Sequence, residues 1–164
     1  MLTYRTSSIW TILCMIGMLA CSANSSELAE LSAEELAGIR DLDSRFVSAY
    51  NRLDVDAFMD CLWKSPNLVV LLYDGTVFIG WDSVRKVTEE FLAGLESAHV
   101  QIDEVTFLRS GDAIMAVGTA SYKLQPKDGP LQEFSARWTD FRRVEDGQWV
   151  YVSDHAQTLA PPTP

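Results

Sequence analysis

A chain of 164 residues with 48% hydrophobic and 22% charged residues has the length and composition of one globular domain, which argues against an intrinsically disordered protein. Its 23 acidic residues outnumber its 13 basic ones. Nucleic-acid binding requires clustered Lys and Arg, so this balance argues against a nucleic-acid partner and against electrostatic docking on anionic lipid.

The first 20 residues are predicted to be an export signal. Arg5 is their only charged residue, and an apolar run at 9–20 follows it. A spanning helix needs about 20 apolar residues, so this shorter run is typical of a signal peptide. The run ends in MLA before Cys21, which resembles the lipobox of bacterial lipoproteins and implies lipidation of Cys21. We therefore expect an exported protein of the bacterial cell envelope, lipid-anchored and facing the periplasm. A plain secretory signal and a retained N-terminal anchor are the alternatives.

Residues 21–31 are interpreted as a tether, 32–158 as one folded domain and 159–164 as a flexible C-terminal tail. Cys61 is the only cysteine of that domain, which excludes an internal disulfide and indicates a buried thiol. The chain has two histidines and no metal-ligand spacing, so no metal site is expected. Phosphate-binding and nucleophile-elbow motifs are missing from the sequence, and no cofactor is predicted.

The folded domain is predicted to begin with two helices. Ser32 and Glu35 have the spacing of a capping box, and apolar residues at intervals of three and four follow as far as Leu53. This spacing predicts one helix of about six turns with a buried stripe. Asp54 is expected to cap a short second helix over 55–62.

A hairpin and a third helix are predicted next. The β-rich run at 67–73, the turn signal Asp74-Gly75 and a return strand at 76–79 indicate the hairpin. The third helix is expected to begin at Asp82 or Ser83 because either side chain could cap it.

From His99 onward the hydrophobic pattern has a period of two, which predicts a β-meander. The four strands are expected at 99–108, 113–125, 131–144 and 148–157. Helices followed by such a meander predict an α+β fold, with a curved, mixed and mainly antiparallel sheet. Long strands twist and coil, so the sheet is expected to wrap around the N-terminal helices as a cone with a pocket at its wide end.

The order of elements and the stretch RFVSAYNRLD at 45–54 resemble the nuclear transport factor 2-like superfamily, specifically its SnoaL-like branch. Further matching positions are Gly80, Arg137, Thr139, the D-G-x-W turn at 146–149 and His155. The resemblance covers about 32–157. It implies a homodimer through the convex face of the sheet, where Trp138, Asp140, Arg142 and Arg143 are expected. It does not imply one activity, because the superfamily includes isomerases, cyclases, dehydratases and oligomerisation modules.

Ketosteroid isomerase is a member of this superfamily with known chemistry. The resemblance places Phe46 where that enzyme has a Tyr donor, and Leu71 or Leu72 where it has an Asp base. Because no carboxylate stands at the base position, steroid isomerisation by that mechanism is not expected. Thr139 falls near the position of a second donor, an Asp, and Asp140 would replace that donor only if the register shifted by one residue.

The turn of the last hairpin decides which side chains face the pocket. A three-residue loop at 145–147 is favoured, because it sets Arg137 beside His155 on one inward face. That face would also carry Thr139, Phe141, Trp149, Tyr151 and Ser153. A two-residue Asp146-Gly147 turn would instead pair the Arg137 face with Val150, Val152 and Asp154, since a shift of one residue exchanges the whole set.

In the favoured register His155 is the candidate catalytic acid or base, and Arg137 is the candidate clamp for a carboxylate or enolate oxygen. The candidate ligand-binding residues are Tyr50, Tyr73, Trp81, Thr139 and Trp149. Each has a structural alternative: a strand-end hydrogen bond for His155, an ion pair with a helix acid for Arg137, and core packing for the aromatic residues.

Three functions are consistent with these patterns. The favoured one is an envelope-tethered pocket domain that binds a small apolar or carboxylate-bearing molecule without turning it over. The second is an isomerase, dehydratase or cyclase-type enzyme in which His155 moves a proton and Arg137 and Tyr50 polarise an oxygen. The third is a structural dimerisation domain with a filled core.

Overall fold

The computed structural model describes residues 30–72 and 75–159. The predicted signal peptide, Cys21, Tyr73, Asp74 and the residues after 159 lie outside the described residues. The elements, in chain order, are α1 (Ala33–Asn51), α2 (Val55–Met59), β1 (Val69–Leu71), β2 (Val77–Ile79), α3 (Trp81–Ala93), β3 (Leu95–Ser110), β4 (Ala113–Pro126), β5 (Gln132–Glu145) and β6 (Gln148–Thr158). Within the described ranges, no helix is long and apolar enough to cross a membrane.

The strands form one curved, unclosed sheet in the order β2-β1-β6-β5-β4-β3. β1 and β6 run parallel, and every other neighbouring pair is antiparallel. β3, β4, β5 and β6 contain 16, 14, 14 and 11 residues, which makes them long enough to twist and coil around α1. The predicted α+β class, with a mixed and mainly antiparallel sheet behind N-terminal helices, is confirmed.

Helix α1 is anchored at both ends. At its start the Ser32 hydroxyl accepts from the backbone N–H of Glu35, and the Glu35 carboxylate accepts from the backbone N–H of Ser32, as the capping-box spacing predicts. At its end the Asn51 amide bonds both backbone groups of Val100 on β3. The helix is thereby fixed across the concave face of the sheet, with Ile39 and other apolar side chains buried beneath it.

The other two helices differ from their predicted bounds. Asp54 caps α2 as expected, but the helix ends at Met59 because the chain after it bonds to β6, where Cys61 O accepts from the backbone N–H of Tyr151 at 2.9 Å. The start predicted for α3 is wrong. Its N-cap is Gly80, which adopts a φ of +89° and accepts from the backbone N–H of Val84.

The apolar core is divided into two main clusters. One joins α1, α2, β1 and the start of α3, with Leu42, Met59, Leu68 and Tyr151 among its buried members. The other surrounds Leu95 where α3 passes into β3. A cavity is lined by residues of both clusters, so packing of the helices onto the sheet leaves space between them.

Candidate functional site

The turn between β5 and β6 is the two-residue alternative and not the favoured three-residue loop. Glu145 pairs directly with Gln148, and the two turn residues, Asp146 and Gly147, both have positive φ angles of 49° and 80°. Positive φ at both central positions defines the turn type that matches the twist of a hairpin. The prediction of a three-residue loop was therefore wrong.

A bulge in β6 then changes the register a second time. Arg142 pairs with Tyr151, whereas its neighbour Phe141 pairs with Ser153, so Val152 is an extra residue without a partner. Beyond the bulge Thr139 pairs with His155 and Arg137 with Gln157, whereas the three-residue loop would have paired Arg137 with His155. The turn register pairs Arg142 with Tyr151, so Arg137 and Thr139 lie on the face opposite to Arg142. The inserted residue turns every later side chain of β6 to the other side, so Asp154 and not His155 shares the face of Tyr151.

The side chains that face the helices are consequently a different set from the predicted one. From β5 they are Gln132, Phe134, Ala136, Trp138, Asp140 and Arg142, and from β6 they are Tyr151, Asp154, Ala156 and Thr158. Trp138, Asp140 and Arg142 had been expected on the convex face, and this expectation was wrong. On β6 the inward spacing of three from Tyr151 to Asp154 marks the bulge.

The cavity has a volume of about 460 Å³ and lies between the three helices and the sheet. Most of its lining side chains are aliphatic or aromatic, and four are charged: Asp43, Asp140, Arg142 and Asp154. Along β5 the lining begins with exposed Gln132 and half-buried Phe134, whereas the later lining residues from Ala136 to Arg142 are all buried. The cavity is therefore open at the Gln132 end and closed at the Arg142 end.

A charged network fills the closed end. Arg142 donates from Nε and Nη2 to the two carboxylate oxygens of Asp140, at 2.6 and 2.8 Å, and from Nη1 to Asp43 at 2.9 Å. Tyr151 donates its hydroxyl to the other oxygen of Asp43 at 2.7 Å. Burial raises the pKa of Asp140 and of Tyr151, while Arg142 opposes both shifts. One guanidinium thus serves two carboxylates inside the protein.

Asp154 is the acid of the cavity that stands outside this network. It lies directly opposite Asp140 in the β5–β6 register and beside Val70 of β1. Burial raises the pKa of Asp154 to about 6, although Arg142 and a backbone hydrogen bond from His155 act to lower it. A half-buried carboxyl with such a pKa can hold or release a proton near neutral pH.

Aromatic side chains cover the wall nearer the opening. Tyr50 lies at the centre of this group, with edge-to-face contacts at 5.8 Å to Phe58 and 6.2 Å to both Phe91 and Tyr122. Tyr122 is stacked on Phe134 with ring centroids 5.0 Å apart. Tyr122 and Asp154 both line the cavity, and burial raises the pKa of Tyr122, with a smaller contribution from the charge of Asp154.

The structure brings only Tyr50, of the predicted site residues that it describes, into the cavity. Arg137 and His155 are exposed on the outer face with half-buried Thr139, which pairs with His155. The inward orientation predicted for these three residues was wrong, because the turn and bulge reverse the face. Tyr73 lies outside the described residues.

The two predicted tryptophans have packing positions. Trp81 begins α3, donates from Nε1 to the carbonyl of Met59 at 3.4 Å, and carries the cations of Lys64 and Arg85 over its ring. Trp149 packs closely against α1 at Gly38, where an added Cβ would fall 2.4 Å from its ring. Neither side chain lines the cavity.

The positions taken from ketosteroid isomerase fall partly within the cavity. Phe46 and Leu72 line it, and so does Asp140 rather than Thr139. The register therefore places an acid near the second-donor position, but Arg142 binds both of its oxygens.

Sequence reasoning missed Asp43, Arg142 and Asp154. A signal for one pair was present, since Asp140 and Arg142 are two residues apart and opposite charges at that spacing share one face of a strand. Asp154 gave no such signal, because its orientation depends on the bulge.

The model of the SnoaL-like domain family matches residues 44–152. The chain belongs to this SnoaL-like family. No curated protein sequence matches the chain significantly. Solved structures do match, and the three described below, each under 25% identical, establish likeness of fold alone.

Three of these structures cover most of the SnoaL-like chain. A candidate aromatic ring hydroxylase from Novosphingobium aromaticivorans is 19% identical, with a TM-score of 0.73, over 80% of this chain and 94% of that one. A candidate dehydratase of the NTF2-like family from Streptomyces avermitilis is 16% identical, with a TM-score of 0.71, over 79% and 100%. A candidate scytalone dehydratase from Novosphingobium aromaticivorans is 12% identical, with a TM-score of 0.70, over 77% and 85%.

Proposed function

We propose that the protein is an envelope-tethered SnoaL-like domain that binds a small, mainly apolar molecule. The observation that carries this proposal is the cavity of about 460 Å³ with a largely apolar lining. Small-molecule sites commonly have volumes of about 300–1,000 Å³ and a few polar groups among apolar walls. A purely structural domain would need a filled interior, because protein cores are close-packed.

Native mass spectrometry of the protein purified from its own host envelope tests the proposal. The expected result is an added mass that is lost on denaturation. Ala156→Phe places a ring inside the cavity and should remove that mass, whereas Gln157→Phe places the same ring on the outer face and should leave it. An unliganded wild-type protein, or equal occupancy in the two variants, would contradict the proposal.

A second candidate function is proton transfer on the bound molecule, favoured by Asp154. This acid faces the cavity and has a pKa raised to about 6, which suits a general acid or base near neutral pH. Asp154 takes the role first assigned to His155, which lies on the outer face. The names of two similar structures, both candidate dehydratases, are compatible with this chemistry.

Hydrogen exchange of a ketone probe tests the second function. In D₂O, the protein should speed exchange of the protons α to the carbonyl of 2-tetralone, observed by NMR. Asp154→Asn should abolish the acceleration, and His155→Gln should leave it unchanged. Equal rates with wild-type protein, with Asp154→Asn and with buffer alone would leave binding without catalysis as the function.

The proposed tethering to the envelope depends on lipidation of Cys21. Cells given an alkyne-labelled fatty acid should incorporate it into the wild-type chain and not into Cys21→Ser. Unchanged labelling of the variant, or no labelling of the wild type, would contradict lipidation at that residue.

A homodimer through the outer face of the sheet is also part of the proposal. The face carries apolar side chains that are not fully buried, including Phe141 at 37% exposure and its half-buried register partner Met115 on β4. Light scattering should give twice the chain mass for the wild type and a lower mass for Phe141→Asp. A monomeric wild-type protein would refute the dimer.

A further inference from the structure

The charges of the cavity indicate which class of molecule it can accept. Three of its charged lining residues are acids and one is a base, so the formal charge is −3 + 1 = −2 when all are ionised. Among the lining residues that the structure describes, none is Lys or His. The class of ligand that the cavity accepts therefore depends on which of these four charged side chains a ligand can contact.

The single cation is not available to a ligand. Arg142 is 0% exposed, and its hydrogen bonds go to Asp140 and Asp43. Its guanidinium also lies 4.9 Å from the ring centroid of Tyr151 and 5.5 Å from that of Trp138. A ligand carboxylate would have to displace one of these acids, and it would then face two others at short range.

Asp154 is the charge that a ligand can reach. It is half-buried, it lines the cavity, and it does not share the hydrogen bonds of Arg142. Its register partner on β5 is another acid, Asp140, so the adjacent strand adds negative charge. Above a pH of about 6 this carboxylate is ionised, because the pKa of Asp154 is raised only to about that value.

The surroundings of Asp154 suit a cation. Asp154 shares its cavity with the stacked pair of Tyr122 and Phe134 and with Tyr50. Aromatic faces attract cations, and the attraction is stronger when water is excluded. An ammonium group paired with Asp154 would meet a carboxylate inside a cavity whose other lining is mainly aliphatic and aromatic.

We propose that the cavity selects amines: an aromatic or aliphatic molecule with one basic nitrogen, which pairs with Asp154 while its apolar part contacts the walls. This inference rests on the proposed binding function and narrows its ligand class. It replaces the carboxylate-bearing ligand expected from Arg137, because Arg137 lies on the outer face.

Three probes of one shape test the charge preference: 1-naphthylmethylamine, 1-naphthalenemethanol and 1-naphthoic acid. Their affinities for the full-length chain in lipid nanodiscs are measured by calorimetry at pH 8, with empty nanodiscs as the blank. The measurement is repeated in about 1 M NaCl, where a Debye length of about 3 Å screens the surface charges. The amine should bind at least about tenfold more tightly than the acid at both salt concentrations.

Asp154→Asn should weaken amine binding about tenfold and leave alcohol binding within about twofold. Asp112→Asn is the matched control, since it removes the same charge from an exposed turn outside the cavity and should change nothing. In the wild type, amine binding should also weaken below the pKa of Asp154. The cavity contains other ionisable or charged groups, and the loss of amine binding on protonation of Asp154 must be separated from changes at them. These groups are Asp43, Asp140, Arg142, Tyr50, Tyr122 and Tyr151.

The outcomes distinguish the two proposals. Binding of the acid as tight as that of the amine, or an amine preference that survives Asp154→Asn, would overturn amine selection and leave small-molecule binding intact. Failure of all three probes to bind would overturn the binding function itself.

Discussion

Removing Arg142 is the sharpest test of the network at the closed end of the cavity. Arg142→Met keeps an unbranched side chain of similar reach and deletes three hydrogen bonds to two carboxylates. Asp140, at 3% exposure, is then left inside the protein without its cation. Loss of one partner of a buried ion pair costs about 3–5 kcal/mol, because the remaining charge stays desolvated.

The loss should depend on pH in a defined direction. Without Arg142 the pKa of folded Asp140 rises further above its unfolded value of about 3.9, so the folded state binds the extra proton. The destabilisation is therefore full above the folded pKa and disappears as the pH falls toward the unfolded one. Urea unfolding followed by tryptophan fluorescence should show the full loss at pH 8, with a melting temperature about 10–20 °C lower, and a smaller loss at pH 5.

Arg85→Met is the control. It removes the same side chain from surface ion pairs with Asp56 and Glu89, where acid side chains are 81% and 50% exposed. Such pairs contribute about 0–1 kcal/mol. If Arg142→Met lost no more stability than this control at pH 8, the network would not hold the closed end together, and our account of it would be wrong.

Three further predictions concern single positions. Gly118→Ala should cost about 1–3 kcal/mol in urea unfolding, since its Cβ would lie 2.4 Å from the Trp138 ring; Gly94→Ala should cost less, and equal losses would contradict the argument. Burial raises the pKa of the Cys61 thiol to about 11. Iodoacetamide at pH 8 should therefore leave the Cys61 peptide unmodified, as measured by mass spectrometry, until urea unfolds the chain. Modification of the native protein would show that the thiol is accessible. Asp154→Asn should raise the free energy of unfolding by about 1–3 kcal/mol at pH 8, because a carboxyl pKa raised from 3.8 to about 6 destabilises the folded state as the pH rises through that interval. The gain should disappear below pH 4, and a gain that persisted there would have another cause.

The architecture could be predicted because local and long-range signals agree. The capping box at Ser32 and Glu35 begins α1 as expected. The period-two pattern after His99 and the turn signals between its strands locate β3 to β6 within a few residues. The helix cap, the turns and the alternating pattern are each set by residues close together in the chain, so the sequence alone predicts them.

The site could not be predicted, because the orientation of its side chains depends on strand pairing that local sequence signals do not determine. On β5, Arg137 and Thr139 alternate with Trp138 and Asp140, so neither face is clearly apolar and the pattern does not choose between them. On β6 the orientation of the later residues depends on the unpaired Val152, and no turn residue marks that bulge. One inserted residue therefore turned His155 outward and Asp154 inward.

The first helix enters the domain at the closed end of the cavity. Glu35 forms an ion pair with Arg109, close to the tip of the β3–β4 hairpin and to the strand pair of Ile114 with Arg142. The last strand ends instead beside the opening, where Thr158 lines the cavity. A purification tag or fluorescent fusion placed after Leu159 would crowd the rim, whereas Ser32 lies at the opposite, closed end of the cavity.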